Sequence, residues 1–179
     1  MTRLMACALA AALLLVPISV TAQTPNPLMD SVKGQFGMVK GVLLKTAEKV
    51  PEPIWEFRPT PEVRTFGQIV GHIADANLMI CGTAAGDKPA PLNAEKTITT
   101  KAALSKALAD SIAYCDKVIA EMDDKKGTET IKFFAGGMQA RAMVLAFNTA
   151  HDYEHYGNLV TYMRINKIVP PSSEGSGMD

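Results

Sequence analysis

The sequence predicts an all-α fold, an antiparallel four-helix bundle, on three observations. Four stretches of roughly twenty residues carry apolar side chains at three-to-four spacing. Clusters of proline and glycine separate those stretches. No alternating apolar and polar segment is long enough to support a sheet.

The first stretch opens at Asn26-Pro27, an N-cap followed by proline at the first helical position. Leu28, Val32, Phe36, Val39, Leu43 and Val50 then form one stripe, which Gly34, Gly37 and Gly41 weaken without breaking. "PEPIWEFRPTPEV" interrupts the chain with four prolines, each pushing its predecessor out of the α region. Thr65 and Gln68 read as a capping box for a second helix, with Phe66, Ile69, Ile73, Ala76 and Ile80 on its buried side. Gly82, Gly86, Pro89 and Pro91 end it. A third helix is expected from Thr99 or Thr100 to about Met122, on the seam Leu104, Leu108, Ile112, Cys115, Ile119 and Met122. "DDKKGTETIKFFAGG" reads as a loop with a short extended piece at 130–134, before a fourth helix from about Gln139 to Ile165. The connections between helices are longer than a minimal bundle requires, and such length often builds one end of a site.

The first 22 residues are set apart from the domain. A basic start at Met1–Arg3, an apolar run at 4–16 and small residues Val20 and Ala22 before Gln23 have the layout of a secretory signal peptide. The run is short for a bilayer span, so the mature protein is expected to be exported, periplasmic or secreted, with no membrane span after cleavage. Residues 23–166 then form one domain, and 167–179 a small polar tail expected to be flexible. Eighteen basic residues balance eighteen acidic ones with no long run of either sign, which argues against a nucleic-acid partner. Of three cysteines, Cys81 and Cys115 remain after cleavage. They could pair in an oxidising compartment or stay as buried thiols on apolar helical faces, and both readings are open.

The chemistry concentrates in three histidines, His72, His151 and His155, the full complement of the chain. Residues four apart on a helix lie about 40° apart in projection, so His151 and His155 share a face. That row also holds Val144, Phe147, Asn148, Asn158, Leu159 and Tyr162, the apolar seam of the fourth helix. His72 lies on the buried stripe of the second helix. A buried imidazole needs a partner, and three inward imidazoles on two helices suit one divalent metal ion. A lone histidine at such a position is more often a hydrogen-bonded core residue; the i, i+4 pair shifts the balance. Cys81 falls on the face opposite His72, while Cys115 stays open as a fourth ligand. Three nitrogens without an obvious fourth ligand leave room for water or substrate, as a catalytic metal requires.

Around this centre, Asp75, Asp152 and Glu154 are the candidate catalytic acids, able to orient an imidazole or move a proton. Asn148 and Asn158, on the histidine row, are candidates to hold the ligands from behind. "HDYEH" has the frame of a zinc-protease helix, but Asp152 replaces the glutamate base and no third ligand follows in an ordered segment. Ten methionines read as core filler, not copper ligands. Trp55 and Arg58 read as a staple of the loop onto the bundle.

The segments "WEFRPTPEVRTFGQIVGHIAD" (55–75) and "HDYEHYGNLVTYMR" (151–164) resemble, in order and spacing, the two histidine-bearing segments of the DinB/YfiT-like superfamily. The resemblance extends over roughly 28–165. It implies an up-down-down-up bundle, His72, His151 and His155 as ligands of one divalent ion, commonly zinc or nickel, and frequent homodimers. Its characterised members include thiol-dependent transferases and isomerases. Asn158 stands where relatives often carry glutamine, and the export signal is a second departure. The combined expectation is an exported metal-dependent enzyme, of hydrolase or thiol-dependent transferase type, acting on an unidentified small-molecule substrate. The rival expectation is a non-catalytic exported protein with a structural metal or a small-molecule-binding role.

Overall fold

A computed structural model describes residues 25–175, and the expected signal peptide, 1–22, lies outside them. Four long helices dominate: α1 (Pro27–Lys49), α2 (Phe66–Ala85), α4 (Lys101–Ala120) and α6 (Arg141–Ile165). Two single-turn helices, α3 (Ala94–Thr97) and α5 (Asp124–Gly127), sit in the long connections. The loop before α6 carries a small antiparallel hairpin, β1 (Thr130–Phe133) and β2 (Gly137–Ala140), with Thr130 paired to Ala140 and Phe133 to Gly137. The sequence expectation held only the first of these strands. The second, "GMQA", is too short and too rich in small residues to signal itself, and α6 begins at Arg141, after it, instead of at Gln139.

Helix directions follow from side-chain pairings along each interface. Between α2 and α6, Ala84 meets Arg141, Asn77 meets Asn148 and His72 meets His151, so the two run antiparallel. Cys81 and Cys115, at matching depths of α2 and α4, are joined, so those two run parallel. Lys40 pairs with Asp116 while Lys101 reaches the carbonyls of Glu48 and Val50, which makes α1 and α4 antiparallel. The result is an up-down-down-up bundle in which α1 and α2 stand on one diagonal.

Local chemistry sets the ends of the helices. Thr65 and Gln68 form the expected capping box, with Thr65 Oγ1 accepting from Gln68 N at 3.2 Å and Gln68 Oε1 from Thr65 N at 2.9 Å. At its other end α2 stops at Gly86, whose φ of 88° is the left-handed conformation a C-terminal glycine permits. Asn26 precedes α1 but does not cap it. The Asp124 carboxylate of α5 does so instead, accepting from Leu28 N and Met29 N at 3.1 and 2.8 Å. Trp55 is buried against Phe66 and donates from Nε1 to Val50 O, which makes it the expected staple of the proline-rich loop. Arg58 donates to Pro61 O, within its own loop, at 3.0 Å.

A single core runs the length of the bundle, from Met29 and Phe36 through Ile73, Leu108 and Leu159 to Met163. Cys81 and Cys115 are fully buried in it and form a disulfide, with an S–S distance of 1.99 Å and Cα atoms 5.4 Å apart. The segment after α6, expected to be a flexible tail from 167 onward, makes specific contacts within the described residues. Pro171 is buried, Ser172 N donates to Tyr156 Oη at 3.0 Å, and Glu174 pairs with Lys49 at 2.6 Å. Its polar composition hid the two prolines, Pro170 and Pro171, that are buried.

Candidate metal centre

The antiparallel run of α2 against α6 brings His72 opposite His151 and His155. The Nε2 atoms of His72 and His151 lie 3.2 Å apart, and those of His155 and His151 lie 3.1 Å apart. All three sets of ligand atoms fall within 4.8 Å of one another. The centre is half-open at the α2–α6 seam, with the His72 side chain 25% exposed, where the sequence placed it inside the bundle.

Which nitrogens carry protons is set from behind. Glu95 Oε2 lies 2.8 Å from His72 Nδ1. Burial of Glu95 favours its neutral form, but hydrogen bonds from Arg64 and His72 outweigh that and hold the carboxyl below the usual range. An ionised carboxylate only accepts, so Nδ1 of His72 is the N–H and its Nε2 offers a lone pair. His155 Nδ1 stands 3.2 Å from Asn158 Oδ1, another acceptor, with the same consequence. His151 Nδ1 is buried without a hydrogen-bond partner among the described residues. Burial and the neighbouring His155 and His72 push the His151 imidazole down to about 4, and burial lowers His155 as well.

Neutral imidazoles with lone pairs facing a common point repel one another unless a cation or proton sits between them. A tetrahedral site with metal–nitrogen bonds of about 2.1 Å needs nitrogens about 3.4 Å apart. The observed separations come within a few tenths of an ångström of that. The three histidines could therefore hold a metal ion, and imidazole nitrogens suit zinc, copper, iron or nickel. Among the described residues no fourth His, Cys, Asp or Glu atom joins the group. Cys115, open as a ligand from the sequence, has its sulfur in the disulfide.

Of the other predicted site residues, only Asn158 contacts a histidine. Asp75 does not orient an imidazole. Its two oxygens accept from Ala94 N at 2.8 Å and Glu95 N at 3.0 Å, so it fixes the turn that carries Glu95. Asn148 and Asp152 point away from the centre into a buried polar cluster with Asn77 and Ser111. The Asn77 side-chain amide lies 2.8 Å from Asn148 Nδ2 and 3.2 and 3.3 Å from the two Asp152 oxygens. Burial drives the Asp152 carboxyl well above its ordinary range. Glu154 is exposed on the outer side of α6.

Sequence reasoning missed Glu95 and Arg64, which pairs with Glu95 at 2.9 Å. One signal was present in Gly71, just before His72. A Cβ there would stand 2.7 Å from Glu95 N, so only glycine lets the α3 backbone lie close enough to α2 for Glu95 to reach His72.

Residues 35–159 of the chain match the DinB superfamily. No curated protein matches the chain in sequence. Among solved structures, a DinB-like protein from Bacillus cereus ATCC 10987 is 16% identical and superposes with a TM-score of 0.69, covering 79% of this chain and 95% of that one. A DinB-like protein from Bacillus subtilis is 18% identical with a TM-score of 0.62, covering 76% and 92%. A mycothiol-dependent maleylpyruvate isomerase is 13% identical with a TM-score of 0.59, covering 75% of this chain and 65% of that one. At these identities the likeness is one of fold.

Proposed function

Because the chain belongs to the DinB superfamily, we propose that it is an exported metal-dependent enzyme of hydrolase or thiol-dependent transferase type, acting on a small molecule at one zinc or nickel ion held by His72, His151 and His155. The observation that carries this reading is the convergence of three Nε2 atoms without a fourth protein ligand among the described residues. Three protein ligands and one open position distinguish catalytic from structural zinc sites.

A bound ion supplies Lewis acidity, lowering the pKa of a coordinated water or thiol and polarising a substrate oxygen. The chain's own residues prepare for this. Glu95 and Asn158 fix the rings of His72 and His155 with Nε2 facing inward, and Arg64 keeps Glu95 ionised. Burial keeps His151 neutral, so its lone pair is available at neutral pH. Of the three candidate acids, Asp75 alone borders the cavity that opens beside His72 and His151. Thiol dependence is stated of the isomerase that shares the fold and enters here as one of two reaction types. The export reading is supported by the buried Cys81–Cys115 disulfide, since such bonds persist in oxidising compartments.

Metal analysis of untagged protein beside His151→Ala tests the centre. About one equivalent of ion in the parent and its loss in the variant are expected; equal trace metal in both removes the site. Melting with and without chelator separates the enzyme from its rival. A small shift supports an open catalytic ion, whereas collapse of the fold indicates a structural one.

A further inference from the structure

The histidine centre lies between two cavities. On the His155 side is a cleft of about 480 Å³ with Glu62, Arg64, Glu95 and Asn158 on its walls. On the side of His72 and His151 is a chamber of about 570 Å³, walled by Leu78, Met79, Leu92, Phe134 and Phe147. The second is not an ordinary piece of surface. Met79 is 50% exposed, Leu92 38%, Phe134 64% and Phe147 40%, and all four border this one opening. Isolated exposed apolar side chains need no explanation, but a contiguous group beside a metal centre marks a binding site.

The hairpin gives the chamber its aromatic wall. Its turn projects Phe134 edge-to-face against Phe147 of α6, with ring centroids 6.4 Å apart, and Phe133 anchors both from the core side at 4.5 and 5.2 Å. Met79 of α2 faces them with an unbranched side chain that adapts its shape to an occupant.

The geometry points to a substrate that is a small amphiphile. One end is a head with a lone-pair donor (carboxylate, carbonyl, hydroxyl or thiolate) placed at the three Nε2 atoms. The other is an aliphatic or aromatic body lying between Met79, Leu92, Phe134 and Phe147. The head rests on the metal reading above; the apolar chamber does not, because its walls are complete without an ion. The volume lies within the range of small-molecule pockets. The His155-side cleft, with Glu62, Arg64 and Glu95 set among its apolar residues, offers such a body a wall broken by charge.

The test uses straight-chain alkyl hydroxamates of two to ten carbons on zinc-loaded protein, with affinity measured by calorimetry. Affinity is expected to rise about fourfold per methylene until the chamber is full. In Met79→Asp and Phe147→Asp, both at exposed positions, the rise is expected to flatten, so the long-chain hydroxamates lose far more affinity than acetohydroxamate. A flat series in the parent protein overturns the proposal. In parallel, the uncharged fluorophore N-phenyl-1-naphthylamine is titrated into metal-free protein. Fluorescence enhancement lost in Met79→Asp supports the chamber, and equal enhancement in parent and variant overturns it. If zinc is not retained and acetohydroxamate binds to none of the proteins, the metal reading fails, and the fluorophore alone decides the chamber.

Discussion

Asp75 holds the main-chain N–H of Glu95 at 3.0 Å, and Glu95 in turn holds Nδ1 of His72 at 2.8 Å. One carboxylate therefore positions another across the close approach of α3 to α2. Outer partners of this kind typically contribute 10- to 100-fold to metal affinity. Glu95→Gln is expected to weaken zinc binding by about that factor, because a neutral amide accepts more weakly and fails to hold Arg64. Asp75→Ala should act in the same direction by a smaller factor. Competitive titration with a chromophoric chelator measures both, and unchanged affinity in Glu95→Gln would refute the positioning role.

The metal-free protein should lose stability as pH falls through the weakly acidic range. The His151 imidazole is pushed down to about 4, and His155 is lowered as well, while in the unfolded chain both titrate near 6.5. Above about pH 6.5 both states are neutral, and the shift has no effect on folding. Between about 6.5 and 4 the unfolded chain binds protons that the folded chain refuses, so its stability must decline. Thermal melts of chelator-treated protein from pH 7.5 to 4 should show a falling Tm, with a shallower fall in His151→Gln. Identical slopes in the two proteins would contradict this origin.

The bundle was legible in the sequence because its signals are local. Apolar periodicity, the Thr65–Gln68 box and the proline-rich break each act within a few residues. The histidine triad was also legible, since an i, i+4 pair and a lone histidine on apolar rows leave few arrangements. The surroundings were harder to read. Glu95 is 23 residues from His72 in sequence, and the pair depends on a backbone approach that only Gly71 announced. The sequence set Asn148 on the histidine row and Asp75 and Asp152 beside the histidines, yet a face does not say which partner a polar head finds. Asp75 found backbone N–H groups and Asn148 found Asn77. The contacts of Pro171 and Glu174 with the bundle were masked by a polar composition.

Asp152 is fully buried, and its carboxyl titrates well above the ordinary range because of that burial. The Asn77 amide lies 3.2 and 3.3 Å from its two oxygens and, with its nitrogen turned towards them, donates to the carboxyl. A raised folded pKa means the folded state keeps a proton that the unfolded chain has already lost. Stability from this residue therefore falls as pH rises from about 4 towards the folded value. Asp152→Asn keeps the shape and a donor without the acid. It should flatten this slope and raise Tm at pH 8. A variant less stable than the parent at pH 8 would show that the ionised form is the one the fold uses.

The Cys81–Cys115 disulfide joins two parallel helices across a sequence separation of 34 residues. Closing a loop of that length removes chain entropy worth roughly 4 kcal/mol from the unfolded state. For a protein of this size, that corresponds to a Tm difference on the order of 10 °C. Cys81→Ala with Cys115→Ala tests the difference, and the two sulfur atoms lost from fully buried positions add a cavity cost to the expected fall in Tm. Thiol titration of the denatured, unreduced protein should find neither of these sulfurs free. A double variant that melts with the parent would mean that the bundle's packing alone fixes α2 against α4. The histidine centre would then owe nothing to the covalent link nine residues beyond His72.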